Sequence, residues 1–340
     1  MKRVIIIAMV ILAQKSFSQH WEGKFEQMGQ MLPTPNEYRT GSGAPGAKYW
    51  QQQADYVIEV ELNDDTQQIT GKETITYYNN APETLTFLWL QLDQNILAND
   101  NLTQKIKTNK VEDGASAKDV ADNFAINKPI GGYNIASVKN NGKPLPYLIN
   151  QTMMRVDLPQ PLASGQQFSF SIEWTFKIGD RMLDKQRSGM EYFIEDGNYI
   201  YTIAQFFPRL CVYDDFEGWQ NKQYLGRGEF ALPFGNYKVR ITVPADHLIA
   251  ATGTLMNAKE VLSKTELERF EKAKTTFDKP VIIVSEPQAI AKEKSKSRAK
   301  KTWEFHAENV RDFAFASSRK FIWDAMAVKI GDKTPLAMSF

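Results

Sequence analysis

Residues 168–178 read FSFSIEWTFKI, with Phe168, Phe170, Ile172, Trp174, Phe176 and Ile178 alternating without a break against Ser169, Ser171, Glu173, Thr175 and Lys177. Successive side chains of an extended chain point to opposite faces, so a period of two gives one apolar and one polar face, whereas a helix of the same sequence would smear its apolar residues around its circumference. The stretch is a strand with one buried side. The pattern recurs on either side of it. Tyr237, Val239, Ile241 and Val243 alternate with Lys238, Arg240 and Thr242, and Tyr56, Ile58, Val60 and Leu62 alternate with Val57, Glu59 and Glu61. Shorter runs place Ile75 and Tyr77, then Leu85, Phe87 and Trp89, then Met154, Val156 and Leu158 on inward faces. With turn signals such as Asn140, Asn141 and Gly142 between them, these strands predict a mainly β fold of antiparallel sheets packed face to face.

The rest of the chain is organised around these strands. Lys2 and Arg3, the apolar run Val4 to Ala13, and small residues Ser16 and Ser18 read as a signal peptide over residues 1–18, cut after Ser18. The expectation is a periplasmic or secreted protein with no membrane span, since no later run approaches the ~18 apolar residues that one requires. Residues 19–48, rich in Gln, Gly and Pro, read as an N-terminal arm, and residues 49–308 as the all-β domain. Polar residues between Leu97 and Ala125 predict a surface loop. An insertion over about 257–301 is expected to be helical, with Thr265 and Glu268 as the capping-box pair of a helix through Leu267, Phe270 and Ala273. The basic run from Lys292 to Lys301 has no interleaved aromatics, so it reads as a solvated helix or loop.

Composition narrows the function. Forty-one Lys and Arg against 40 Asp and Glu, a net charge of +1, give no field that would select a polyanion, so no nucleic-acid partner is expected. One cysteine permits no internal disulfide, and three histidines, His20, His247 and His306, lack the spacing of a zinc helix. There is no GxSxG elbow and no phosphate-cradling GxxxxGK loop. The densest unusual stretch runs from Tyr199 to Gly235, with Asp214, Asp215, Glu217, Trp219 and Tyr224. Adjacent carboxylates on a strand face opposite ways, which disfavours a paired-acid glycosidase site and favours a hairpin turning at Gly218, Gly226 and Gly228.

Four segments of this sequence, taken in order, resemble one family. AQFFPRLCVYDDFEGWQ (204–220), GEFALPFGNYKVRITVPADHLIAATGTLMN (228–257), the opening YVIEVELNDDTQQITGKETITYYNNAPETLTFLWLQLDQN (56–95) and NVRDFAFASSRKFIWDA (309–325) are similar to the N-terminal region of the M1 zinc metallopeptidases, the gluzincin aminopeptidases, and in particular their exported Bacteroidetes members. The resemblance implies a saddle-like, N-terminal antiparallel β-sandwich domain followed by a thermolysin-like domain with a GxMEN loop, an HExxH helix and zinc. It implies further that residues 309–340 open that catalytic domain. No HExxH occurs in these 340 residues. The expectation is therefore no catalytic residue, no metal ligand and no zinc bound by this chain, whose partners would be the missing catalytic domain and the N-terminus of a peptide substrate. Gly189, Met190, Glu191 and Tyr192 mimic the GxMEN loop but precede the QFFPR stretch, so they read as a strand entry. One role carries over from the resemblance: Gln205, in the segment where the family places a Gln or Glu beside the substrate α-amine, is the substrate-binding candidate. The reading from a different class is an exported non-catalytic β-sandwich module that binds peptides or glycans.

Overall fold

The alternation at 168–178 is realised as strand Gln167–Lys177, with Phe170, Ile172, Trp174 and Phe176 buried. It belongs to an eight-stranded sheet ordered Thr254–Leu255, Lys300–Val310, Gly235–Pro244, Gln53–Asn63, Gln68–Tyr78, Gln167–Lys177, Asn134–Asn140 and Lys143–Pro144. The computed structural model describes residues 35–102, 130–184, 187–226 and 231–340, together with 114, 116–118 and 120–121. The signal peptide, most of the arm and most of the polar 97–125 loop lie outside the described residues.

The chain divides into two compact units, Met1–Tyr49 and Trp50–Phe340. In the first, Arg39 bridges Pro45 and Lys48 pairs with Glu37 at the surface. In the second, the inward faces of the large sheet meet smaller sheets in one core. One smaller sheet runs Leu248–Ala251, Phe315–Ser318, Asn198–Ile203, Gly189–Phe193, and another runs Arg209–Leu210, Leu85–Gln91, Met153–Leu162, Tyr147–Asn150. Tyr56, Ile58, Ile75, Trp174, Val239 and Trp303 from the large sheet share that core with Leu88, Met154, Tyr201, Phe206 and Phe207. The fold is mainly β, as the periodicity requires.

One cross-strand pair shows how tightly the core is fitted. Gly71 and Trp174 are directly opposite each other, and a Cβ on Gly71 would stand 2.3 Å from Cζ2 of the indole. The indole Nε1 donates to the Phe206 carbonyl at 2.9 Å, which pins the AQFF segment to the sheet. Only a residue without a side chain lets the ring lie flat across the strand.

Several details depart from the sequence expectation. Strands Gln53–Asn63 and Gly235–Pro244 pair in parallel, Tyr56 beside Tyr237, although the other pairs of the large sheet are antiparallel. A parallel neighbour needs a long crossover, and the chain between them supplies it. In Leu85–Gln91 the buried set is Leu85, Leu88 and Leu90, not Leu85, Phe87 and Trp89, because a register shift between Leu85 and Phe87 reverses the faces. The Arg155 guanidinium lies 4.1 Å from the centre of the outward Phe87 ring.

The helix expected from Thr265 forms as Lys264–Ala273, but its capping box is Ser263 and Glu266. Ser263 Oγ accepts from the Glu266 N–H at 3.3 Å, and Glu266 Oε2 accepts from the Ser263 N–H at 2.9 Å. Both pairs have the required three-residue spacing, and the earlier one forms, which puts Thr265 inside the first turn. Ser263→Ala should therefore lower stability by about 1 kcal/mol. Thr265→Ala should change it by less than about 0.5 kcal/mol, both read from urea unfolding midpoints. The insertion also contributes a strand, Val281–Val284, which pairs with Trp323–Ala327, itself paired with Leu336–Ser339. Beyond Asn309, then, Phe315–Ser318 and Trp323–Ala327 are stitched to strands from before that residue.

Candidate functional site

The segment around Gln205 is shaped by its apolar residues. Phe206, Phe207, Leu210 and Cys211 are all buried, so this irregular stretch passes through the core and carries Gln205 and Arg209 with it. Gln205 adopts φ = 55°, a left-handed conformation that costs a non-glycine residue on the order of 1 kcal/mol or more. Neighbours hold it there. Its carbonyl oxygen accepts from Gln94 Nε2 at 2.9 Å and from the Tyr133 hydroxyl at 3.1 Å. The Ala204 N–H donates to Ser188 Oγ at 3.1 Å, and the Phe206 carbonyl is taken by Trp174. The carboxamide is held more loosely: Oε1 accepts from the Tyr224 hydroxyl at 3.5 Å, the outer limit of a useful hydrogen bond. Gln205 is thus a residue with a clamped backbone and a half-buried side chain that presents an acceptor oxygen.

Four residues further along the chain, Arg209 forms a buried ionic triad. Arg209 donates through Nε and Nη2 to Asp93 Oδ2 at 3.0 and 2.7 Å, and through Nη1 to Asp312 Oδ2 at 2.7 Å. The Arg209 and Asp93 side chains are each 1% exposed. Asp93 opens the short 3-10 turn Asp93–Leu97, whose next residue, Gln94, grips Gln205, and whose Asn95 Oδ1 accepts from the Tyr133 N–H at 2.8 Å. The triad therefore anchors the turn that positions Gln205. Burial raises the Asp93 carboxyl to about 6, against the opposing pull of Arg209, so it is ionised at neutral pH. Burial also lifts Asp312, and although burial alone would lower Arg209, its two carboxylates keep it firmly charged. The Tyr224 hydroxyl that reaches Gln205 is acted on by the Asp93 carboxylate and by two cations, Arg187 and Arg209. Burial raises the Tyr133 and Tyr224 phenols, so both remain donors at neutral pH.

The other residues singled out in the sequence fall elsewhere. Gly189, Met190, Glu191 and Tyr192 lie in strand Gly189–Phe193, paired to Asn198–Ile203. Asp214 accepts from the Phe216 and Glu217 N–H groups and from Gln220 Nε2, closing the hairpin Tyr213–Asp214 to Gly218–Trp219. His247 is buried with Nδ1 2.8 Å from Ser317 Oγ, and burial, reinforced by Arg319, depresses it to about 3. His306 lies opposite Lys238 in the large sheet, and His20 lies outside the described residues. Cys211 is buried and its thiol is pushed upward by burial. Among the described residues no group of three or more His, Cys, Asp or Glu side chains could hold a metal ion, so these residues do not fit a zinc centre. Among the described residues, no helix is long and apolar enough to cross a membrane.

Two features went unnoticed in the sequence. Arg209, flanked by FFP and LCV, is a cation inside an apolar run, which signals a buried ion pair. Glu73 stands in phase with Ile69, Gly71, Ile75 and Tyr77, and is 0% exposed with no hydrogen-bond partner for either carboxylate oxygen. Counting by twos along that strand places an acid in the core.

Solved structures of M1 zinc metallopeptidases are among those similar to this chain. A mutant of the M1 zinc metallopeptidase from Deinococcus radiodurans, bound to a Tyr-Ser-Ala substrate, is similar over 85% of this chain and 47% of its own, at 13% identity and a TM-score of 0.43. A two-domain M1 zinc metallopeptidase mutant bound to L-tryptophan is similar over 87% and 49%, at 13% identity and a TM-score of 0.43. This chain spans about half the length of each. No family model matches the sequence, and neither does any curated protein.

Proposed function

We propose that this chain is the N-terminal portion of an exported M1-type zinc aminopeptidase of the Bacteroidetes kind, in which Gln205 receives the α-ammonium of a peptide substrate. The observation that carries the reading is the clamped left-handed Gln205 with its carboxamide oxygen presented as a hydrogen-bond acceptor. An ammonium has only donors and a carboxamide oxygen accepts, so the pairing selects free N-termini. The order of the sequence segments supports the family, and on this reading the zinc chemistry belongs to a catalytic domain that these 340 residues, which contain no HExxH, do not include. On this reading the chain alone releases no amino acid from an aminoacyl substrate and retains no stoichiometric zinc.

In the protein that includes the catalytic domain, Gln205→Ala should raise KM for substrates with a free N-terminus by a factor on the order of ten, the loss of about one charge-assisted hydrogen bond of ~1.5 kcal/mol. Gln205→Gly, which suits φ = 55°, should do the same without backbone strain. A purely structural glutamine gives the opposite signature: melting temperature shifts in the alanine variant while KM stays at the wild-type value in both. An unchanged KM removes Gln205 from the site.

A further inference from the structure

A separate cleft lies where the start of strand Gln53–Asn63 meets the start of Gly235–Pro244, and it does not involve Gln205. It has a volume of about 350 Å³ and is lined by Gln51, Gln53, Asn80, Phe234, Asn236 and Asn309, with Gln52 and Gly235 beneath. Among the described residues, no charged side chain is part of the lining. The floor exists because Gly235 has no side chain: a Cβ there would stand 1.6 Å from the Ala54 carbonyl oxygen. The Ala54 N–H donates to the Phe234 carbonyl at 3.1 Å, closing the two chains together.

The rim is pre-set by internal bonds. Asp55 Oδ1 accepts from Gln53 Nε2 and from the Asn236 N–H, both at 2.9 Å, which leaves Gln53 Oε1 as the unused end of that carboxamide. Asn80 Nδ2 donates to the Gln51 carbonyl at 2.8 Å, leaving Asn80 Oδ1. A register irregularity between Gly235 and Tyr237 brings Asn236 beside Asn309, whose N–H donates to Asn236 Oδ1 at 3.1 Å and whose φ is 52°. Asn236 Nδ2 and the whole Asn309 carboxamide are left over. Phe234 adds a ring, with the Arg311 guanidinium 4.5 Å from its centre.

We infer that this cleft is a binding site for a neutral, hydroxyl-rich ligand, a short glycan segment. The spare groups are two acceptors, Gln53 Oε1 and Asn80 Oδ1, and a donor, Asn236 Nδ2, with Asn309 offering both kinds. A sugar hydroxyl donates and accepts at once, so neighbouring hydroxyls match such a set, and the charged groups that touch the lining are already engaged, the Asp55 carboxylate by Gln53, Tyr78 and the Asn236 N–H and the Arg311 guanidinium by the Phe234 ring. The Phe234 ring, one face of which carries Arg311, adds an apolar edge beside the convergent polar groups, the usual make-up of a small-molecule site. The volume, near the lower end of the ~300–1,000 Å³ typical of small-molecule sites, suits a mono- or disaccharide unit.

The test is a titration of the 340-residue chain with maltotriose, cellotriose, laminaritriose and triacetylchitotriose, alongside acetyl-Ala-Ala-Ala-amide, followed in side-chain amide NMR spectra. At least one saccharide should shift the Asn80, Asn236 and Asn309 resonances saturably, and Asn309→Gly, which keeps the left-handed backbone, should weaken that saccharide at least fivefold while the rest of the spectrum is unchanged. Asn236→Ala should weaken it similarly. Shifts produced by the capped tripeptide and by no saccharide make the cleft a peptide site and overturn the inference. So do an affinity that survives both substitutions, and the absence of any shift at these amides. None of these outcomes depends on whether Gln205 contacts a substrate amine.

Discussion

Arg209→Ala is expected to destabilise the fold by about 3–5 kcal/mol near neutral pH, the usual cost of removing one partner from a buried ion pair. The loss would fall on Asp93, whose side chain is 1% exposed and whose Oδ1 already lacks a partner, and on the turn that Asp93 opens. The deficit should shrink in mild acid, because an orphaned Asp93 escapes its penalty by taking up a proton. Replacing both groups together, Arg209→Met with Asp93→Leu, should recover most of the stability, since well-packed apolar residues often substitute for a buried pair at little cost. Urea unfolding of the single and double variants at two pH values measures all of this. A single-variant loss below about 1 kcal/mol would mean that the triad is not a structural tie, because exposed pairs give that little.

Glu73→Gln should change the pH dependence of stability more than any surface substitution. Burial without a partner raises the Glu73 carboxyl well above its ordinary 4.5, so the fold keeps its proton at a pH where the unfolded chain has released it. Below the ordinary value both states are protonated and there is no penalty. As pH rises past it, the unfolded chain gains relative stability by up to about 1.4 kcal/mol per pH unit until the folded carboxyl also ionises. Asp93, raised to about 6, and Asp312, also raised by burial, contribute with the same sign, and His247, depressed to about 3, with the opposite sign below its ordinary value, so the Glu73 share is the difference between the wild type and Glu73→Gln. The expected result is an unfolding free energy that, above about pH 6, declines more steeply with pH in the wild type than in Glu73→Gln. Parallel slopes in the two proteins above that pH would show that Glu73 finds a stabilising partner in solution.

The fold was legible where side chains alternate over long spans, because burial on one face of a strand is written directly in period two. Strands through 56–62, 168–178 and 237–243 fall where the alternation puts them. What was not legible depends on chain neighbours distant in sequence. The reversed faces of Leu85–Gln91 follow from a bulge set by its partner strand, and the parallel pairing of Tyr56 with Tyr237 follows from topology that no local pattern encodes. Starts at Ser263 and at Thr265 give Phe270 and Ala273 the same helical phase, so the local pattern could not choose between the two caps. At the candidate site, Gln205 could be nominated from the sequence, but the groups that hold it, Gln94, Tyr133 and Tyr224, come from segments far along the chain. The Asp93–Arg209–Asp312 triad is likewise assembled only by folding.

The single parallel ladder of the large sheet also imposes a schedule on the growing chain. Strand Gln53–Asn63 can close a hairpin with Gln68–Tyr78 almost as soon as both are made. Its other edge must wait for Gly235–Pro244, roughly 180 residues later, which at ~5–20 residues per second is on the order of ten seconds or more of synthesis. Through that interval an apolar strand has an unpaired edge, the configuration most prone to pairing with another nascent chain. Yield of the folded protein is then governed by how quickly residues 64–234 follow and by what shields the waiting edge, and it can fall without any change in the melting temperature of the molecules that succeed.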